Sequence, residues 1–227
     1  MTDERAGELL EKDLEALFKG VAHDLLDVCD RTGQSDKPGL IFPTDRDGDW
    51  RVSEQEAKQL FLFRVHSDGR HRFSVETPTC EAHGTGRASA RVDVSLFACG
   101  HQIGAHAHVE FKADNGHWDG IRTSLEKLVR EENLGGWFHT LALADEGTLI
   151  SLREKFIYSL DAIRHYLDDF KPHLCLFAIC VVRERLLFLR WLTLGGGSSF
   201  QNCEHAFRDL TLNSSPLSAW TVIDWNK

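Results

Sequence analysis

The sequence predicts an α/β protein with a mixed sheet flanked by helices. Three observations carry that expectation. Between about residues 53 and 143 the apolar pattern alternates between helical and strand periods in the order α-β-β-β-α-β. Before it, residues 6–30 carry Leu10, Leu14, Leu17, Val21, Leu25 and Val28 at spacings of three and four, the stripe of an amphipathic helix. After it, a helical stripe over residues 148–170 leads into two apolar runs of strand length, 174–182 and 186–193.

The elements follow in order. Residues 32–49 read as a loop, with Pro38, Pro43 and several Gly and Asp residues. Ser53 opens a helix that places Leu60 and Phe63 on the face of Glu56. Gly69 separates it from a strand over 71–77, stopped by Pro78. A hairpin is expected over 88–113, where ASARVDVSLF and AHAHVEFKA flank the turn-like CGHQIG. A helix over 118–132 carries Ile121, Leu125, Leu128 and Val129, and Gly135-Gly136 is expected to end it before a strand over 137–143. The helix over 148–170 has the stripe Leu149, Leu152, Phe156, Leu160, Ile163, Leu167 and Phe170. The charged turn 183–185 joins the last two strands. Gly195–Gly197 reads as the start of a flexible loop, and Trp220 and Trp225 as an apolar anchor of the tail. One domain over 1–227 is expected: a core at about 53–143, a helical extension over 1–50 and a helix–hairpin elaboration over 148–227.

Composition narrows the class. The net charge of −9 argues at first against nucleic acid, yet residues 1–60 hold 8 Lys/Arg and 15 Asp/Glu, against 18 and 20 in residues 61–227. The acidity is mostly N-terminal, so the rest can still present a local basic groove. None of the six cysteines forms a C-x-x-C pair, which favours reduced thiols. No basic segment followed by an apolar run opens the chain, and the longest apolar run, 174–182, is far short of the roughly 20 residues a membrane helix needs. A cytoplasmic protein without membrane contact is expected.

The hairpin carries the chemistry. Period-two alternation puts Arg91, Asp93, Ser95 and Phe97 on one face of its first strand, and His106, His108, Glu110 and Lys112 on one face of its second. A tight turn centred between His101 and Gln102 makes Asp93 and Glu110 cross-strand neighbours, their Cβ atoms about 4.5–5.5 Å apart. Two carboxylates that close repel unless a proton or cation joins them. Oxygen ligands suit Mg²⁺, and a lysine two residues on completes a site for phosphate chemistry.

Asp93 on one strand and Glu110-Phe111-Lys112 on the next resemble the PD-(D/E)xK nuclease superfamily, over about residues 53–143. Val92 stands where that superfamily often has Pro before the Asp. The resemblance implies a restriction-endonuclease-like αβββαβ core and Mg²⁺- or Mn²⁺-dependent cleavage of DNA or RNA. Asp93, Glu110 and Lys112 would be catalytic, with Asp93 and Glu110 on the metal. It also implies a helix carboxylate, Glu56, in the site, and leaves a homodimer open.

Other readings compete. Glu56 also fits a capping box with Ser53, and the twelfth position of an EF-hand-like loop from Asp45, which lacks the Gly such a loop needs at position six and has Trp50 there. Glu76 is an alternative third carboxylate. Arg91, His108 and Glu76 are candidate substrate contacts. Arg122, Lys127 and Arg130 read as a solvated helix face that can also meet a phosphate backbone. Cys80, His83, Cys99, His101, His106 and His108 do not match a zinc spacing. An inactive binding protein on the same fold, or a calcium protein using 45–56, remain alternative functions.

Overall fold

In the computed structural model, which describes residues 3–32, 38–44, 46, 50–79, 90–98, 105–114, 116–131, 133–142, 145–197, 199–212 and 220–227, seven strands lie side by side in chain order. They are β1 (His71–Pro78), β2 (Arg91–Ala98), β3 (Ala107–Ala113), β4 (Leu134–Leu141), β5 (His173–Val181), β6 (Leu186–Leu194) and β7 (Thr221–Asp224). Pairing is antiparallel across β1-β2-β3, parallel across β3-β4-β5 and antiparallel again across β5-β6-β7. Parallel neighbours need a crossover, and helices supply both. The first is α3 (Trp118–Arg130); the second is α4 (Glu146–Ala162) with α5 (Arg164–Asp169).

Helices cover the sheet on both faces, so its central strands are apolar throughout. Along β5, Leu176, Ala178 and Cys180 point into one core, which α1 (Asp3–Thr32) and α2 (Glu54–Asp68) complete with Leu14, Phe18, Val21, Leu25, Ala57 and Phe61. Cys175, Phe177, Ile179 and Val181 point into the other. There α3, α4, α5 and α6 (Ser199–Arg208) contribute Leu125, Leu128, Phe156, Leu167 and Phe207. Phe156 and Phe207 stack with centroids 4.3 Å apart.

Three sequence expectations change. Gly135 and Gly136 do not end a helix; they lie inside β4, which begins at Leu134. A Cβ on Gly135 would sit 2.7 Å from Cys175 Sγ, and one on Gly136 3.0 Å from Phe18 Cζ. Absent side chains here let β5 and α1 approach the strand. The helix expected over 148–170 breaks at Ile163, whose backbone leaves the helical region at φ −105° and ψ 12°. Gly195 and Gly196 form a turn into α6, not an open loop. Both have left-handed φ, +81° and +82°, and Gly196 N–H donates to Phe170 O at 3.0 Å. The tail docks as expected. Trp220 is buried, with Nε1–H donating to Ala206 O at 2.7 Å, and Trp225 packs on the α1–α2 core. No helix among the described residues is long and apolar enough to cross a membrane.

Candidate active site

The site lies where β2 and β3 stop pairing regularly. Their register joins Val94 to Val109, Ser95 to His108 and Leu96 to Ala107, the register expected from a turn between residues 101 and 102. The turn itself, 99–104, lies outside the described residues. One step further, Asp93 opposes Glu110. The ladder ends there and side chains replace it. Asp93 N–H donates to Glu110 Oε1 at 3.3 Å, and Phe111 N–H donates to Asp93 Oδ2 at 2.9 Å. On the other side of β2, the pairs Val75–Val94 and Thr77–Val92 flank Glu76, which takes a left-handed φ of 52°.

Three lysines converge on these carboxylates from three elements. Lys58 of α2 places Nζ 2.8 Å from Glu76 Oε1 and 3.3 Å from Asp93 Oδ1. Lys127 of α3 places Nζ 2.5 Å from Glu110 Oε1 and donates to Arg91 O at 2.8 Å. Lys112 lies 3.7 Å from Glu110 Oε2 and 3.7 Å from Glu54 Oε2, and donates to Phe111 O at 2.8 Å.

Burial sets the electrostatics. The Glu110 side chain is 0% exposed, and desolvation pushes its pKa above the usual carboxylate range. Lys127 opposes that shift, Asp93 adds to it, and Lys112 opposes it. Burial of Lys58 favours its neutral amine, but Glu76 and Asp93 outweigh this and raise its pKa. Glu110 Oε2 is buried and has no hydrogen-bond donor, a state that costs about 1–3 kcal/mol in a neutral group and more in a charged one. Two carboxylates with one such bare oxygen are the donor chemistry a hard divalent cation takes.

Asp93, Glu110 and Lys112 are thus brought together. Glu56 is not with them. Its Oε2 accepts from Ser53 N–H at 2.9 Å and Ser53 Oγ–H at 2.5 Å, a closed capping box. The expected inward face of α2 is also turned: Phe63 is 70% exposed, while Ala57, Lys58, Phe61 and Val65 are buried. Glu54 shares that face, and it is Glu54 that reaches Lys112. Glu76 joins the cluster through Lys58. Arg91 is exposed, and its carbonyl receives Lys127. His108 is not at an open edge; it is 4% exposed, 2.8 Å from Ser95 Oγ and 3.1 Å from Asn133 Nδ2. Burial lowers its pKa.

Arg122 pairs with Asp119 and Glu126, but the expected solvated face does not extend to Arg130, whose side chain is 15% exposed, pairs with Glu126 and lies over the Tyr166 ring at 4.1 Å. Lys127 departs from them. It flanks the apolar stripe at Leu128, which is the one signal that could have drawn it out of the sequence. Asp45, Asp47 and Asp49 of the calcium reading lie outside the described residues, as do Cys80, His83, Cys99 and His101 of the zinc reading. Elsewhere among the described residues His23, Asp24 and Asp27 cluster on the surface of α1, where Asp24 accepts two bonds from Arg64 at 2.6 and 2.7 Å.

No family model, curated protein or solved structure matches the chain.

Proposed function

We propose that this chain is a metal-dependent phosphodiesterase acting on nucleic acid, a nuclease of the PD-(D/E)xK kind with a restriction-endonuclease-like core. The observation that carries the reading is the meeting of Asp93, Glu110 and Lys112 where the β2–β3 ladder ends, with Glu110 Oε2 buried and lacking a donor. Asp93 and Glu110 would hold Mg²⁺ or Mn²⁺. Such an ion, when bound, polarises a phosphoryl oxygen and lowers the pKa of a coordinated water. The remaining work falls to the chain. The Glu110 side chain is fully buried, against Lys127 of α3 and Asp93 of β2, which keeps water from competing for its charge. Lys112 is less buried, with 21% of its side chain exposed, and directs an ammonium toward Glu110 from the accessible side. It offers charge to an incoming phosphate or orients the attacking water. Glu54, 43% exposed, fixes the lysine from the far side.

The test is cleavage of labelled single- and double-stranded DNA and RNA with Mg²⁺, Mn²⁺ or chelator. Wild type should cut with metal only. Asp93→Ala, Glu110→Gln and Lys112→Ala should each lose on the order of 100-fold or more of that activity while retaining wild-type circular dichroism. Full activity in Asp93→Ala would sink the assignment.

One observation favours a second reading. Lys58, Lys112 and Lys127 already compensate the carboxylates without any metal, as in a phosphate-binding or purely structural ion network on the same fold. Metal-independent nucleic-acid binding with no cleavage in any metal would select it.

A further inference from the structure

Lys127 belongs to neither half of the D…ExK pattern, yet it makes the closest ion pair to Glu110. Its Nζ lies 2.5 Å from Glu110 Oε1, with 11% of the lysine side chain and none of the glutamate exposed. A carboxylate this deep needs a compensating charge in the folded state, because burying it alone costs several kcal/mol. The ammonium supplies that charge. It also has a second acceptor, the Arg91 carbonyl at 2.8 Å, so it can leave Glu110 without losing every hydrogen bond. Lys58 is placed differently. Glu76 and Asp93 share it, and the shorter contact is to Glu76. A cation at Asp93 would leave Lys58 a partner it already has, whereas a cation bridging Asp93 and Glu110 meets Lys127 at Glu110 Oε1, the oxygen that also accepts from Asp93 N–H.

We propose that Lys127 is a built-in counter-ion that holds Glu110 in the metal-free protein, and that a divalent cation binds by displacing it. The inference rests on the reading of Asp93 and Glu110 as cation ligands. Its consequence is a coupling: the ion pair stabilises the metal-free fold and weakens metal affinity by the same contact. Lys127 is therefore a positioning residue whose removal changes metal binding in the favourable direction, the opposite of removing a ligand.

The experiment is thermal unfolding and Mn²⁺ titration of the full chain in mildly alkaline buffer. The variants are wild type, Lys127→Met, Lys127→Arg and Asp93→Asn. In chelator, Lys127→Met should melt below wild type, because Glu110 has lost its counter-ion. In saturating Mn²⁺ that deficit should close. The Mn²⁺ Kd of Lys127→Met should fall on the order of tenfold, and Lys127→Arg should stay near wild type. Should Lys127→Met not fold, Lys127→Gln, which keeps a donor for both oxygen partners, carries the same expectation. A deficit equal in Mn²⁺ and in chelator overturns the proposal. If Asp93→Asn alone loses the Mn²⁺-induced rise in that case, the ligand reading survives and only the competition falls. Absence of any Mn²⁺ effect in wild type and in the Lys127 variants overturns both.

Discussion

Glu54 and Glu56 differ by two positions, and the difference decides their roles. Glu56 sits at the third helical position after Ser53, where its carboxylate closes on the Ser53 N–H. Glu54 lies on the face of Ala57, Phe61 and Val65, which is turned to the sheet, and so reaches Lys112. In the helix pattern alone Leu60 and Phe63 marked the inward face, because apolar type was the only signal; Phe63 is in fact exposed. Glu54→Gln should therefore lower metal-dependent cleavage more than Glu56→Gln. Glu56→Gln should instead weaken the cap, with a cost of about 0.5–2 kcal/mol in urea unfolding as an upper range. The reverse ranking in the cleavage assay would return the helix carboxylate to Glu56. Asp93, Glu110 and Lys112 were legible because period-two alternation and a turn centre fix a strand register with few free choices. Lys58 and Lys127 were not. A lysine bent toward a buried carboxylate and a lysine in water look the same in a helix sequence.

At the level of elements, the order α-β-β-β-α-β could be read because each segment is long and strongly periodic. The failures cluster at glycines. Gly135-Gly136 after a helix has the form of a C-terminal stop. What makes it a strand is tertiary: α1 presses Phe18 and Leu14 on Gly136, and β5 brings Cys175 against Gly135. Gly135→Ala should then act as overpacking, since the nearest atoms are Cys175 Sγ at 2.7 Å and Cys175 Cβ at 3.0 Å. A loss of about 1–3 kcal/mol is expected in urea unfolding. Cys175→Ala should recover part of it, because the clash is with that side chain. A helix-stop glycine would show no dependence on Cys175. The helix α6 and strand β7 escaped notice for a related reason. Their apolar positions are few, and Cys203, Ala206 and Phe207 become a buried face only when α4 and β6 are present to cover.

Across the whole molecule, two cores share one sheet, and both must be dry for the site to keep its charge balance. His139 reports on that dryness. It pairs with Lys112 across β3–β4, lies fully buried beside Trp137 and Phe156, and donates Nε2–H to Asp114 O at 2.7 Å. Its Nδ1 is buried without a partner, so protonation there would add an unsolvated charge. Burial accordingly pulls its pKa down to about 4 from 6.5. The sign follows from linkage. Below pH 6.5 the unfolded chain takes up a proton that the folded chain refuses, so the contribution of a neutral His139 is complete above that pH. It is lost progressively as pH falls toward 4, by about 3 kcal/mol in all. Glu110 acts in the opposite sense. Its raised pKa makes the metal-free fold pay as pH rises above the ordinary carboxylate value, so the two groups must be separated by mutation. His139→Gln keeps a donor for Asp114 O and cannot titrate. Urea unfolding in chelator across pH 7 to 4 should show a shallower decline for His139→Gln than for wild type. In a chain of this size each kcal/mol moves Tm by about 2–4 °C, so the difference is within reach of a melting curve. Identical slopes for the two proteins would mean that water reaches His139, and that the helical core beneath Lys112 is wetter than its packing implies.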